Sequence, residues 1–139
     1  MTRMQDDDPH AALRLVLVVE DEPLIALDIQ MMLEDHGYGV QGPAGSIEAA
    51  LALLDRARPD LAVLDLNLHG KLVLPVAERL LALGVPFILA SAYASAEFTG
   101  RNRIFTDVQR VDKPILERCL LEALGRASAC GPPAAPRPS

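Results

Sequence analysis

Leu61-Ala62-Val63-Leu64 is an uninterrupted apolar run that ends, with no turn residue between, in the carboxylate of Asp65. Bounded by Arg58-Pro59-Asp60 before and Gly70 after, it suits a strand buried on both faces more than a half-exposed one. Leu15-Val16-Leu17-Val18-Val19 is a second such run and also ends in acid, at Glu20-Asp21-Glu22. Strands of this kind belong at the centre of a sheet covered by helices on both faces. On position alone Asp65 has two readings. It is either a capping or turn carboxylate, or an acid at the carboxyl edge of a parallel sheet, where ligands bind.

Helix signals separate the apolar runs. Pro23 suits a first helical turn, and residues 24–35 carry apolar rows at Ile25, Ile29 and Met32 and at Leu24, Leu27 and Met31. So wide a stripe is expected to pack on a sheet, although Met31, Met32 and the Leu24 row also suit a partner surface. Gly37 gives a stop, and residues 39–43 read as an edge strand. Ser46 caps a helix through Ala57, with Leu51 and Leu54 facing inward. Gly70 and Lys71 open a loop after the central strand, and Pro75 starts a helix to Leu83 closed by Gly84. Residues 86–90 form a fourth strand ending in Ser91. A short or frayed helix follows over residues 94–103, interrupted by Thr99 and Gly100. Residues 108–111 make a weak fifth strand before Asp112-Lys113-Pro114, and residues 115–126 make a last amphipathic helix. Strict alternation of strand and helix predicts an α/β fold with a doubly wound, five-stranded parallel sheet and helices on both faces. The pattern does not give the strand order.

Residues 1–12, with three consecutive aspartates, are expected to be a disordered lead-in, residues 13–127 one domain, and the Pro/Ala-rich residues 128–139 a disordered tail. A net charge of -6 with no stripe of Lys and Arg excludes direct nucleic-acid binding and an anionic membrane surface. No apolar segment reaches the length of a bilayer span, and the acidic N-terminus is no secretion signal, which predicts a cytoplasmic protein. Cys119 and Cys130 form no CxxC pair, and His10, His36 and His69 show no metal-ligand spacing.

In a parallel sheet the strand ends share one edge. Glu20 and Asp21 follow the first strand, Asp65 the third, Ser91 the fourth and Lys113 the fifth. Carboxylates brought within about 4 Å repel by roughly 4 kcal/mol per pair at an effective dielectric near 20. Such a cluster calls for a cation, and Mg²⁺, with oxygen ligands and room for phosphate oxygens, fits. Lys113 and the Ser91 hydroxyl would then hold an anion beside the metal.

The pieces Val-Val-Glu-Asp-Glu (18–22), Leu-Asp-Leu-Asn (64–67), Ala-Ser-Ala (90–92) and Asp-Lys-Pro (112–114), in this order and at strand ends, resemble the receiver domain of two-component response regulators. This is the family of the chemotaxis single-domain regulator. The resemblance implies the flavodoxin-like strand order 2-1-3-4-5. It implies Asp65 as phosphoacceptor, Glu20, Asp21 and the backbone carbonyl of Asn67 as Mg²⁺ ligands alongside Asp65, and Ser91 and Lys113 as holders of the phosphoryl oxygens. It also implies a cis peptide at Pro114. Glu20 stands where aspartate is commoner, Ser91 where threonine is commoner, and Arg110 where many members carry a switching Tyr or Phe. Residues 86–93 with the Asn67-Leu68-His69-Gly70 loop resemble a subset found beside alternative histidine kinases.

The function implied is a single-domain response regulator that takes a phosphoryl group from a histidine kinase or phosphotransfer protein. It would signal by binding a downstream protein or act as a phosphate sink, as monomer or homodimer, catalysing only its own phosphorylation and dephosphorylation. Residues 94–103 would be the bistable element. The alternative is a pseudo-receiver, an interaction module that never carries phosphate. A small phosphatase using Asp65 as nucleophile is disfavoured by Asn67, because such enzymes commonly need an acid at that position.

Overall fold

The computed structural model describes residues 14–91 and 108–130. The lead-in expected at 1–12, the helix expected at 94–103, Tyr93, the tail from residue 131 and the side chains of Ser91 and Cys130 lie outside the described residues. In chain order the elements are β1 (Leu15–Val19), α1 (Pro23–Asp35), β2 (Gly39–Ala44), α2 (Ile47–Arg56), β3 (Leu61–Asp65), β4 (Asn67–Leu68), β5 (Lys71–Leu72), α3 (Leu74–Leu83), β6 (Phe87–Ser91), β7 (Arg110–Asp112) and α4 (Glu117–Cys130).

The main sheet has the order β2-β1-β3-β6-β7 and every pairing in it is parallel. Counting only its own five strands, this is the order 2-1-3-4-5. Its register fixes what the carboxyl edge displays. Val19 pairs with Leu64, so the next residues, Glu20 and Asp65, leave β1 and β3 side by side. Ser91 pairs with Asp112, which puts Lys113 one step beyond the same edge.

The alternation of side chains along each strand divides the core in two. Leu17, Val19, Ala62, Leu64, Phe87 and Leu89 face α2 and α3 through Ala50, Leu54, Val76 and Leu80. Val16, Val18, Leu61, Val63, Ile88 and Ala90 face α1 and α4 through Ile29, Leu33, Leu120 and Leu124. A fully buried Leu, Val or Ile contributes roughly 1.5–3 kcal/mol over its exposed state, so these two layers hold the strand ends in place.

Local signals set the helix bounds. Ser46 Oγ accepts the Ala49 N–H at 3.1 Å and starts α2. Gly84 ends α3 with φ 74°, a left-handed backbone that a Cβ would strain. Arg58 donates to Leu83 O at 3.0 Å and Gly84 O at 3.1 Å, tying that helix end to the start of β3.

Three expectations are corrected. Only the Ala26, Ile29 and Leu33 line of α1 is buried, while Leu24 is 71%, Leu27 49% and Met31 53% exposed. The Ile25, Ile29 and Met32 row packs against the sheet as expected, with Ile25 and Met32 partly buried, and the second apolar row points to solvent. The loop at Gly70 is a small antiparallel ribbon in which β4 and β5 flank a two-residue turn, with His69 at φ 49° and Gly70 at φ 83°. Finally, α4 starts at Glu117 and runs to Cys130, three residues into the stretch expected as tail. Ala127-Ser128-Ala129 continues a helix without strain, and the first strong stop in the sequence, Gly131-Pro132, comes later.

Candidate phosphoacceptor and metal site

Each acidic residue of the carboxyl edge arrives on a buried strand, and the burial governs its charge. Glu20 is 2% and Asp65 5% exposed. One oxygen from each of Glu20, Asp21 and Asp65 lies within 4.8 Å of the others. Lys113 reaches into the group from beyond β7. Its Nζ is 3.0 Å from Glu20 Oε1, donates to Glu20 Oε2 at 3.3 Å, and lies 3.1 Å from Asp65 Oδ2. Glu20 Oε1, although this close to the ammonium, is a buried oxygen with no hydrogen bond.

Asp21 is held differently. Its Oδ2 accepts the backbone N–H of His69 at 2.9 Å and lies 3.4 Å from the His69 Nδ1. Sequence reasoning missed this contact because a surface histidine in a two-residue turn carries no spacing signal toward an acid on another strand. The ribbon also fixes Asn67. The Asn67 side chain accepts from Gly70 N at 2.9 Å, its N–H donates to Asp65 Oδ1 at 3.3 Å, and Val73 N donates to Leu66 O at 2.9 Å. Asn67 thus bonds both the turn and the Asp65 carboxylate.

These surroundings push the carboxyl groups apart in acidity. Burial, reinforced by the negative charge of Asp65, raises the Glu20 pKa to about 7, against a smaller downward pull from Lys113. Burial also raises Asp65, against the hydrogen bonds and charge of Lys113 and the Asn67 N–H. Asp21 is only part-buried; desolvation acts upward on it, but the His69 N–H and imidazole prevail and its pKa lies below the usual value. Lys113 is desolvated as well, yet the two carboxylates outweigh that and hold its pKa above 10.5. The edge therefore combines an anionic rim, a buried acid that titrates near neutrality and a fixed ammonium.

The structure brings Glu20, Asp21, Asp65, Asn67 and Lys113 together. The Ser91 backbone sits at the end of β6 on the same edge, and its side chain is outside the described residues. Lys113-Pro114 is a cis peptide. Arg110 is exposed on β7.

Residues 16–125 match the response regulator receiver domain. This chain belongs to that family. The receiver is 28% identical over 125 residues to the transcriptional regulatory protein PdtaR of Mycobacterium tuberculosis, a match covering 89% of this chain and 61% of PdtaR. The chain therefore spans less than two thirds of that relative's length. Among solved structures, the receiver resembles the PhyR response regulator REC domain of Erythrobacter litoralis with a TM-score of 0.77 and 25% identity, covering 94% of this chain and 99% of that one. It also resembles SdrG from Sphingomonas melonis Fr1 with a TM-score of 0.72 and 33% identity, covering 81% and 94%. As a receiver domain, the protein is a signal-transduction component of the two-component class. Among the described residues no helix is long and apolar enough to cross a membrane.

Proposed function

We propose that this receiver takes a phosphoryl group onto Asp65 from the phosphohistidine of a histidine kinase or phosphotransfer protein in the cytoplasm, with Mg²⁺ bound at Glu20, Asp21, Asp65 and the Asn67 carbonyl. The observation that carries the reading is the buried Asp65 carboxylate placed within one cluster of acids and against a lysine ammonium. The donor set suits the metal. All ligands are oxygens, as a hard divalent ion prefers, and the buried Glu20 Oε1 has an unused lone pair that a cation satisfies. When bound, Mg²⁺ supplies positive charge to the oxygens of the group in transfer.

The chain's own part is to aim and to neutralise. An Asp65 carboxylate oxygen attacks phosphorus, the O–P bond of an acyl phosphate forms, and the P–N bond to the donor imidazole breaks. Asn67 N–H orients the carboxylate, and Lys113 turns from the carboxylates to the phosphoryl oxygens, joined by the Ser91 hydroxyl. Aligned attack with fixed countercharge is most of what phosphoryl transfer asks of a protein. The acyl phosphate then biases a protein–protein contact, or hydrolyses and drains the donor.

Incubation with acetyl phosphate, with and without Mg²⁺, tests the reading by intact mass. One phosphoryl group gained only with Mg²⁺, and absent in Asp65→Asn, supports it. A folded protein that gains none is instead a pseudo-receiver that binds its partners constitutively.

A further inference from the structure

His69 is the first of the two turn residues between β4 and β5, with φ 49°. Asparagine, aspartate and glycine tolerate that left-handed backbone as well, so the turn itself does not ask for an imidazole. The side chain is 68% exposed, and its Nδ1 lies 3.4 Å from Asp21 Oδ2. That is longer than the usual N–H···O range of about 2.7–3.2 Å, and so long an ion pair at an exposed side chain would contribute little. As the spacing of two ligands it fits. Two ligands about 2.1 Å from one ion stand about 3.0 Å apart at a right angle and about 3.4 Å apart at a tetrahedral one. Asp21 Oδ2 accepts the His69 backbone N–H with one lone pair and keeps another for a cation. The acids beside it call for an ion independently, because Glu20, clustered with Asp21 and Asp65, has a buried Oε1 with no hydrogen bond. His36 is taken up elsewhere, its Nδ1 3.1 Å from Met32 O and 3.2 Å from Glu117 Oε2. Among the described residues, the imidazole available to the acids is therefore that of His69.

From this spacing we infer that His69 is a specificity-determining metal ligand. Its Nδ1 joins the oxygens of Glu20, Asp21 and Asp65, so that the site holds a borderline transition-metal ion, of the Mn²⁺, Co²⁺ or Zn²⁺ type, more tightly than Mg²⁺. The inference deepens the proposed phosphoacceptor reading and rests on it. Mg²⁺ is a hard ion that takes oxygen ligands and keeps its waters, so an imidazole beside it gains little over water. Imidazole suits the borderline ions, whose affinity for mixed nitrogen and oxygen ligands rises along the first transition row. His69 thus leaves Mg²⁺ to the carboxylates and adds affinity for its competitors. Either kind of ion neutralises the same acids, and the choice between them is made at the turn.

His69→Gly removes the imidazole and keeps both the left-handed turn and the backbone N–H that Asp21 accepts. Calorimetric titration should find Co²⁺ about 10- to 100-fold weaker in His69→Gly than in the unmodified protein, with Mg²⁺ unchanged to within about twofold. Pulsed EPR of the Mn²⁺-loaded protein reads ligation directly. It should show the modulation of one directly bound imidazole nitrogen, kept in His36→Gln and absent in His69→Gly. Loss of neither ion or equal loss of both in the calorimetry overturns the inference, and equal loss would assign the effect to the turn alone. A nitrogen signal that is missing from the unmodified protein, or that survives His69→Gly, overturns it too. In each of those cases Mg²⁺ binding by the unmodified protein leaves the proposed function standing. Failure of Mg²⁺, Mn²⁺ and Co²⁺ alike to bind the unmodified protein overturns that function itself.

Discussion

Nζ of Lys113 lies 3.1 Å from Oδ2 of Asp65, tying the residue beyond β7 to the last residue of β3. Asp65 is buried and Lys113 partly so, and removal of the ammonium leaves Glu20 and Asp65 facing each other without a countercharge. Lys113→Met is therefore expected to destabilise the metal-free protein by about 2–4 kcal/mol at pH 7.5. Saturating Mg²⁺ should restore most of the loss, because the ion takes over neutralisation of the same oxygens. Urea denaturation with and without Mg²⁺ measures both quantities.

The raised pKa of Glu20 gives the metal-free protein a pH dependence of definite sign. Between about 4.5 and 7 the folded state holds a proton on Glu20 that the unfolded state has released. Stability is therefore fullest below about 4.5 and falls as pH rises through the folded value, by up to about 3 kcal/mol for this group. Asp65 is shifted in the same direction. Asp21 acts oppositely, but only at acid pH below its unfolded value. Thermal melts in a chelator should show Tm declining from pH 5 to pH 7.5, with a flatter profile in Glu20→Gln. A Tm that rises over this range would show that Glu20 is ionised throughout.

Leu64 and Leu24 separate core from surface. Leu64 is fully buried between β1 and β6, whereas Leu24 is largely exposed on α1. Leu64→Ala should cost about 2–5 kcal/mol and Leu24→Ala less than about 0.5 kcal/mol, read by chemical denaturation.

Asn67 links the β4–β5 turn to the acceptor. Asn67→Ala removes the bond to Gly70 N and should cost about 1 kcal/mol of stability. Because the same turn supplies the His69 N–H to Asp21, Mg²⁺ affinity should fall as well, read by titration calorimetry. Unchanged affinity would show that the ribbon does not help to build the metal site.

Much of the fold was legible because a doubly wound sheet writes itself into sequence as unbroken apolar runs separated by helical periods. Leu15–Val19 and Leu61–Asp65 are such runs, and the acids that end them converge because all parallel strands point the same way. Strand order came only from the family resemblance, since crossover lengths do not say on which side a strand is laid. The α1 surface was misread because Leu24, Leu27 and Met31 share the helical period of the buried line, and only the sheet's position distinguishes the rows. The ribbon at His69-Gly70 was invisible because two-residue strands are too short to carry an alternation. The Glu20–Lys113 contact was equally hidden, for it depends on side-chain reach across intervening strands.

The most direct test of the central claim is to locate the phosphoryl group. Protein treated with acetyl phosphate and Mg²⁺ is reduced with borohydride, which converts an acyl phosphate to an alcohol, and is then mapped by peptide mass spectrometry. The account predicts homoserine at position 65 and none when Mg²⁺ is withheld. A modified Glu20 or Asp21 with an intact Asp65, or no modified carboxylate in folded, Mg²⁺-saturated protein, would contradict it.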